Sequence, residues 1–469
     1  MRRLRLLCVL VLLGAAGTAQ AHDDGPPPPG PPRARPLPPP PPPAPKPAKA
    51  GRGAPASAPI YGMLSASHPS DETIREIKGL LAAARLDGWL LTDLRGDNPT
   101  ALDLMRPARP TERRWFYLVP ARGEPVLLAH VGDATAFAAV PGKRVAYATW
   151  RDLGPSLKAS LKGRRRLAME NGTSLALPQT RLDSAVADAV RAAGARVVSS
   201  GDLRLERARW DARSRERYLL ALHHLGKVRD EALEMILQHL GEGQPLHEVT
   251  VEKAMLRSLR SRGLETDTPP AVAAGRNTAV PGYVATVART GVIQPDDLIV
   301  IRLAARLRAP GAPYAVVTHV AFAGTKVPEK LARAYAAARA AGTAAVTLLR
   351  ERLAKRQPVR AWELDAAARK VLVARAFGDR TLHPTGHALE ARFPGTGLSL
   401  DDYDQRDDRV VQRGLALRVS PGVYFAGEAG LRAERAVLVG EKDVEELAPG
   451  QTRIHVLFPG PTAELLELE

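Results

Sequence analysis

The run A-L-R-V-S-P-G-V-Y-F-A-G-E-A-G-L-R-A-E, residues 416–434, decides the fold of this 469-residue chain. Ala416–Val419 is an apolar strand stretch, Pro421-Gly422 punctuates it, and a second apolar stretch follows at once, so the segment reads as strand, tight turn, strand. Working outward, H-P-T-G-H (His383–His387) leads into another strand segment and Ala436–Val439 supplies one more. Upstream, L-I-V-I-R-L-A (Leu298–Ala304) and Y-A-V-V-T-H (Tyr314–His319) predict strands Leu298–Leu303 and Tyr314–Phe322 flanking the loop R-L-R-A-P-G-A-P. A-A-G-R-N-T-A-V-P-G-Y (Ala273–Tyr283) is a further landmark. Periodic apolar stretches predict helices over about Ala212–Leu240, Leu246–Arg262, Pro328–Arg352 and Ala361–Ala374. The first should bury Leu219, Leu222, Val228, Ala232, Met235 and Ile236. Its His223 and His224 read as surface histidines rather than ligands. An antiparallel sheet backed by helices follows, an α+β domain over residues 206–460.

In this order the landmarks resemble the creatinase, prolidase and aminopeptidase P family, the pita-bread metallopeptidases. The resemblance implies a dinuclear site in which Asp, Asp, His, Glu and Glu hold two divalent metals such as manganese, cobalt or zinc. Matched motif by motif, the first Asp position is Arg302. The second is Val316, placed by Tyr314, Thr318 and Gly324 around it. The His is kept as His387, the first Glu is Ser420, and the last Glu is kept as Glu434. Two substrate-side histidines of the family fall at Gly282 and near Pro394.

Charge makes the changed set self-consistent. Carboxylates that balance two divalent cations are costly to leave buried alone, as is an unpaired arginine. Here Arg302 and Glu434 cancel and the other three positions are neutral. The expectation is that the Arg302 guanidinium fills the former metal volume and forks onto Glu434. Two remaining ligands, His387 and Glu434, fall short of even one tetrahedral zinc site. This predicts no catalytic residue, no metal and no other cofactor, in a pocket lined by His383, His387, Ser420, Arg432 and Glu434 and open to a peptide or small molecule.

Two other readings stand beside it. In a working Xaa-Pro aminopeptidase or related metallopeptidase with non-standard ligands, Glu390, Asp401, Asp402 and Asp404 would replace the lost carboxylates around manganese, cobalt or zinc. The three aspartates fall in the polar loop L-S-L-D-D-Y-D-Q-R-D-D-R, where a solvated charge run is the default. In a metal-independent hydrolase, His387 or His383 would be the base with Glu434 as orienter, or Ser420 and His387 a nucleophile pair. Serine and histidine at two former ligand positions are more simply a replacement and a remnant.

The N-terminal part frames these readings. Residues 1–21 read as a cleavable secretory signal: Arg2, Arg3 and Arg5, then the apolar run Leu6–Gly17, then Ala19-Gln20-Ala21. The single cysteine, Cys8, lies inside it and too early for a lipidation site. A periplasmic or secreted protein without disulfides is expected. Residues 22–59 are proline-rich, a polyproline spacer without a core. Residues 60–205, with G-W-L-L-T, R-W-F-Y-L-V-P and A-R-V-V-S-S separated by helical stretches, predict an α/β domain. It resembles the creatinase N-terminal domain, which implies a homodimer. Removing the signal's three arginines lowers the formal charge from +17 to +14. That balance reads as a solvated basic surface, with an anionic envelope polymer as the sharper alternative. Nucleic acid is not expected, since no binding motif accompanies the charge.

Overall fold

Ser70 starts the first helix, Asp71–Ala83, by accepting the Thr73 amide on its Oγ at 3.1 Å, and Asp71 and Glu72 complement the helix dipole. In this computed structural model the described residues are 69–172, 181–393, 395 and 397–458. The signal, the proline-rich segment and Pro394 lie outside them. All described residues belong to one compact unit, Gly62–Glu469.

The first layer is a mixed six-stranded sheet in the order β4-β3-β2-β1-β5-β6. Its strands are β1 (Gly88–Asp93), β2 (Trp115–Pro120), β3 (Val126–His130), β4 (Lys143–Tyr147), β5 (Arg166–Met169) and β6 (Arg196–Ser199). Both β1 and β2 are buried along their whole length; their apolar residues account for most of this, and the polar Thr92 and Asp93 that end β1 are satisfied by hydrogen bonds. Separate clusters cover the two faces, one around Trp89, Trp115 and Phe137, the other around Leu90, Phe116 and Leu161.

The second layer holds the predicted landmarks. Strands β7 (Leu264–Glu265), β8 (Ala271–Ala274), β9 (Leu298–Leu307) and β10 (Ala315–Phe322) form one sheet with the later β18 (His455–Val456). A second sheet, order β12-β11-β13-β16-β17, joins β11 (Gly386–Ala388), β12 (Ser399–Leu400), β13 (Ala416–Val419), β16 (Arg435–Val439) and β17 (Val444–Ala448). Between its members, β14 (Gly422–Phe425) and β15 (Ala429–Arg432) make a hairpin. Every pair is antiparallel except β10 with β18.

Two expectations need correction. Strand β9 runs to Leu307 rather than Leu303, because Ala305 pairs with Ala315 and Leu307 with Leu264, absorbing Arg306 and Leu307 of the supposed loop. The long helix, Ala212–Gly241, buries Tyr218, Ala221, Leu225, Val228, Ala232, Leu233 and Ile236, while Leu219, Leu222 and Met235 lie at the margin. The stripe is rotated because Tyr218 is fully buried and its ring packs 5.1 Å from Trp210.

Candidate functional site

Strands β9, β10, β11 and β13 and the residues at their ends carry the former ligand positions. Arg302 stands opposite Thr318 and Val316 opposite Ala304. The two-residue period of a strand therefore puts Arg302, Val316 and Thr318 on one face. On the second sheet His387 stands opposite Arg418. This register depends on Gly386, where an added Cβ would sit 1.9 Å from the Arg418 carbonyl oxygen.

Arg302 does not pair with Glu434. Its Nη2 donates to the Tyr283 carbonyl at 2.7 Å. Burial first, then the neighbouring guanidiniums of Arg432 and Arg418, push its pKa down to about 10. The Glu434 carboxylate is held by Arg418 instead, whose Nε and Nη2 both lie 2.5 Å from Oε2. Thr318 completes its shell, its amide donating to Oε1 at 3.0 Å and its hydroxyl to Oε2 at 2.9 Å. The pair is buried, with side-chain exposures of 9% and 7%. The reason for the exchange is local. Arg418 lies on the strand between His387 and β16, which begins directly after Glu434, so the nearer guanidinium takes the carboxylate. Strand alternation from Ser420 would have found Arg418, two residues upstream on the same face.

The two histidines are neutral. Burial, followed by the field of Arg418, lowers the His387 pKa to about 4. Its Nδ1 lies 2.9 Å from the Ala388 carbonyl, which fixes the proton there and leaves the lone pair on Nε2. Burial and Arg432 hold His383 well below the ordinary histidine range. A directed chain reaches it. Arg432 Nε donates to the Tyr424 hydroxyl at 2.5 Å, Tyr424 donates to His383 Nε2 at 2.9 Å, and His383 Nδ1 donates to the Pro384 carbonyl at 2.8 Å. Tyr424 was not among the expected pocket residues, and its signal, a tyrosine two residues beyond Pro-Gly, is indistinguishable from packing.

Ser420 is 2% exposed, and its Oγ has no hydrogen-bond partner, although its amide donates to Thr385. The structure thus joins His383 to Arg432 through Tyr424 and sets His387 across the strands from Arg418, which holds Glu434. It supplies no hydrogen bond for a Ser420–His387 nucleophile pair.

In the acidic loop Asp402, Asp404 and Asp408 are exposed, as in a solvated run, whereas Asp401 and Asp407 are buried. Asp401 is 1% exposed and its Oδ1 accepts the amides of Tyr403, Asp404 and Gln405, a carboxylate closing its own turn. Asp407 is bound by both ends of Arg409 and by the Ser399 amide. The Asp402 amide binds Asp365, which also holds Arg369 and the Thr385 amide. Glu390 lies against Gly397 so closely that no Cβ fits there, and its charge faces Arg204. Asp401, Asp407 and Asp365 have structural employment that explains them, while the side chains of Asp402 and Asp404 are exposed.

The residues do not fit a dinuclear metal centre. Among the described residues no three His, Cys, Asp or Glu side chains group as a metal site. The donor set left at the ligand positions is one imidazole nitrogen and one carboxylate. The carboxylate is already bound by a guanidinium, and two further guanidiniums are close by. Divalent ions need deprotonated oxygen and nitrogen ligands, and neighbouring cations oppose them.

Comparisons with known proteins converge on one fold. Residues 221–441 match metallopeptidase family M24. An Xaa-Pro dipeptidase from Pyrococcus furiosus is 27% identical over 225 residues, 47% of this chain and 58% of that protein. The chain matches little more than half the length of such curated relatives. The crystal structure of dipeptidase PepE from Mycobacterium ulcerans aligns with a TM-score of 0.63 at 20% identity, covering 82% of this chain and 97% of that one. An X-Pro aminopeptidase from Thermotoga maritima aligns with a TM-score of 0.60 at 18% identity, covering 82% and 99%.

Proposed function

We propose that this chain, whose residues 221–441 match metallopeptidase family M24 on a fold shared with solved dipeptidases, works as a metal-free binding module rather than as a peptidase. The observation that carries the proposal is the Arg418–Glu434 ion pair. It supports the reading because the carboxylate retained at a ligand position is spent on a buried cation. A metal at Glu434 would have to displace a charge-assisted contact and leave a buried guanidinium without its partner, at a cost of about 3–5 kcal/mol. The neutral histidines add no compensating negative charge. In this proposal the leader exports the protein to the periplasm or beyond, the molecule dimerises, and a peptide or small molecule occupies the former active-site region.

The test is the metal content of the purified protein by elemental mass spectrometry after incubation with manganese, cobalt and zinc and desalting. The expected stoichiometry is near zero, with no cleavage of Xaa-Pro dipeptides under the same conditions. One or two metals per chain would overturn the reading.

A further inference from the structure

Three guanidiniums converge where the family would place cations. Arg418 is neutralised by Glu434. Arg302 and Arg432 are not: the hydrogen bonds described for them go to neutral acceptors. Arg302 donates to the Tyr283 carbonyl at 2.7 Å, and Arg432 donates to the Pro281 carbonyl at 3.1 Å and to Tyr424. Those two carbonyls are two residues apart on one segment, so both arginines clamp the same short turn from β9 and β15. Arg418 reaches the same place from β13, because its Nη2 lies 3.4 Å from the Thr318 hydroxyl and Thr318 stands opposite Arg302.

The carboxylates within reach do not balance this set. Glu434 is used by Arg418. Glu252, near Arg302, spends its Oε1 on the amides of Val272 and Ala285. Glu248, beside Glu252, is likewise occupied by the Tyr283 hydroxyl and the Ala274 and Gly291 amides, so the described bonds of Arg302 and Arg432 reach no carboxylate, and the histidines are uncharged. Folding a surplus guanidinium into a half-buried site is unfavourable unless a ligand repays it. Guanidinium N–H groups are donors only, in a fork that matches an oxyanion. Ser420 supplies the second, independent sign of an absent ligand. Its buried hydroxyl lacks a partner, and strand alternation sets it on the Arg418 face.

We propose that the former metal basin, bounded by Arg302, Arg432 and Ser420, is an oxyanion-binding site for a ligand bearing a carboxylate or a phosphate group. This rests on the metal-free reading above and adds to it the charge class of the ligand. The surplus charge is a stability burden kept for binding, so it has a signature in the unliganded protein.

The experiment is titration calorimetry of the intact protein with succinate and, separately, inorganic phosphate at low salt, with thermal melts in parallel. We expect saturable binding of at least one probe, with the tighter one identifying the group recognised. Arg302→Met should weaken that binding tenfold or more and raise the melting temperature of the unliganded protein. Ser420→Ala should weaken binding with the melt unchanged. If neither probe binds while elemental analysis finds no metal, the oxyanion site is refuted and the metal-free reading survives. Stoichiometric metal would defeat the metal-free reading itself. Binding that persists in Arg302→Met would refute the site, whatever the probe's affinity.

Discussion

At the scale of single residues, the site is governed by who neutralises Glu434. A buried carboxylate stripped of its cation is penalised more than a pair removed together. Arg418→Met should therefore destabilise the protein by about 3 kcal/mol, and the double variant Arg418→Met with Glu434→Gln should recover most of it, since Gln can still accept the Thr318 amide. Urea denaturation of both variants measures this, and equal losses in the two would mean that charge compensation is not what Arg418 provides. The histidines give a pH dependence of definite sign. His387 is neutral in the fold down to about pH 4, whereas an unfolded histidine protonates near 6.5. Below the unfolded value the unfolded chain binds a proton the native state refuses, so stability is full at neutral pH and falls as pH drops from about 6.5 towards 4. His387 alone should cost about 2 kcal/mol at pH 5 relative to pH 8. His383 and His319, also lowered by burial, act in the same direction. Melts across this range should flatten in His387→Gln; an unchanged slope would remove His387 from the account.

At the scale of elements, what could be read from the sequence was whatever a turn or a period announces. Pro421-Gly422 and Gly386 mark close approaches that the fold needs, so the hairpin and the strand carrying His387 are legible as strings. The identity changes at Arg302, Val316 and Ser420 are legible for the same reason. Partners across strands are not, because they depend on register and on which of several arginines lies nearest. Hence Arg302 was expected on Glu434, where Arg418 sits, and Thr318 served only as a landmark although it donates twice to that carboxylate. The rotated stripe of the helix Ala212–Gly241 has the same origin: apolar residues flank both candidate faces, and the burial of Tyr218 decides between them. The element that holds the site in register can be tested through its glycine. In Gly386→Ala the new methyl meets the backbone oxygen of Arg418, which no side-chain adjustment relieves. We expect a loss of about 3 kcal/mol or more, by analogy with other backbone and packing clashes. Hydrogen exchange should show the 386–388 and 416–419 amides losing protection first, and an evenly distributed loss would contradict a local clash.

At the scale of the whole molecule, one short helix decides how the two layers behave. Gly201–Arg207 follows the last strand of the first sheet, and its residues serve both cores. Leu203 packs into the cluster of Trp89 and Trp115, while Leu205, fully buried, packs into the cluster of Leu298, Val320 and Leu417. Between them Arg204 interacts with Glu390 of the second layer and Glu170 of the first, and a separate ion pair joins Arg392 to Asp103. Apolar side chains two residues apart, anchored in different cores, couple the layers far more firmly than a polar interface would. The intact protein should therefore unfold in a single calorimetric transition. Leu205→Ala removes the anchor on one side only. It should cost about 2–5 kcal/mol, the range for a buried leucine, and should broaden or split the transition as the layers melt at separate temperatures. Two well-separated transitions in the unmodified protein would show that the helix is a connector without a coupling role. A Leu205→Ala transition that shifts down but stays as sharp would place the coupling in Arg204 and the Arg392–Asp103 pair instead.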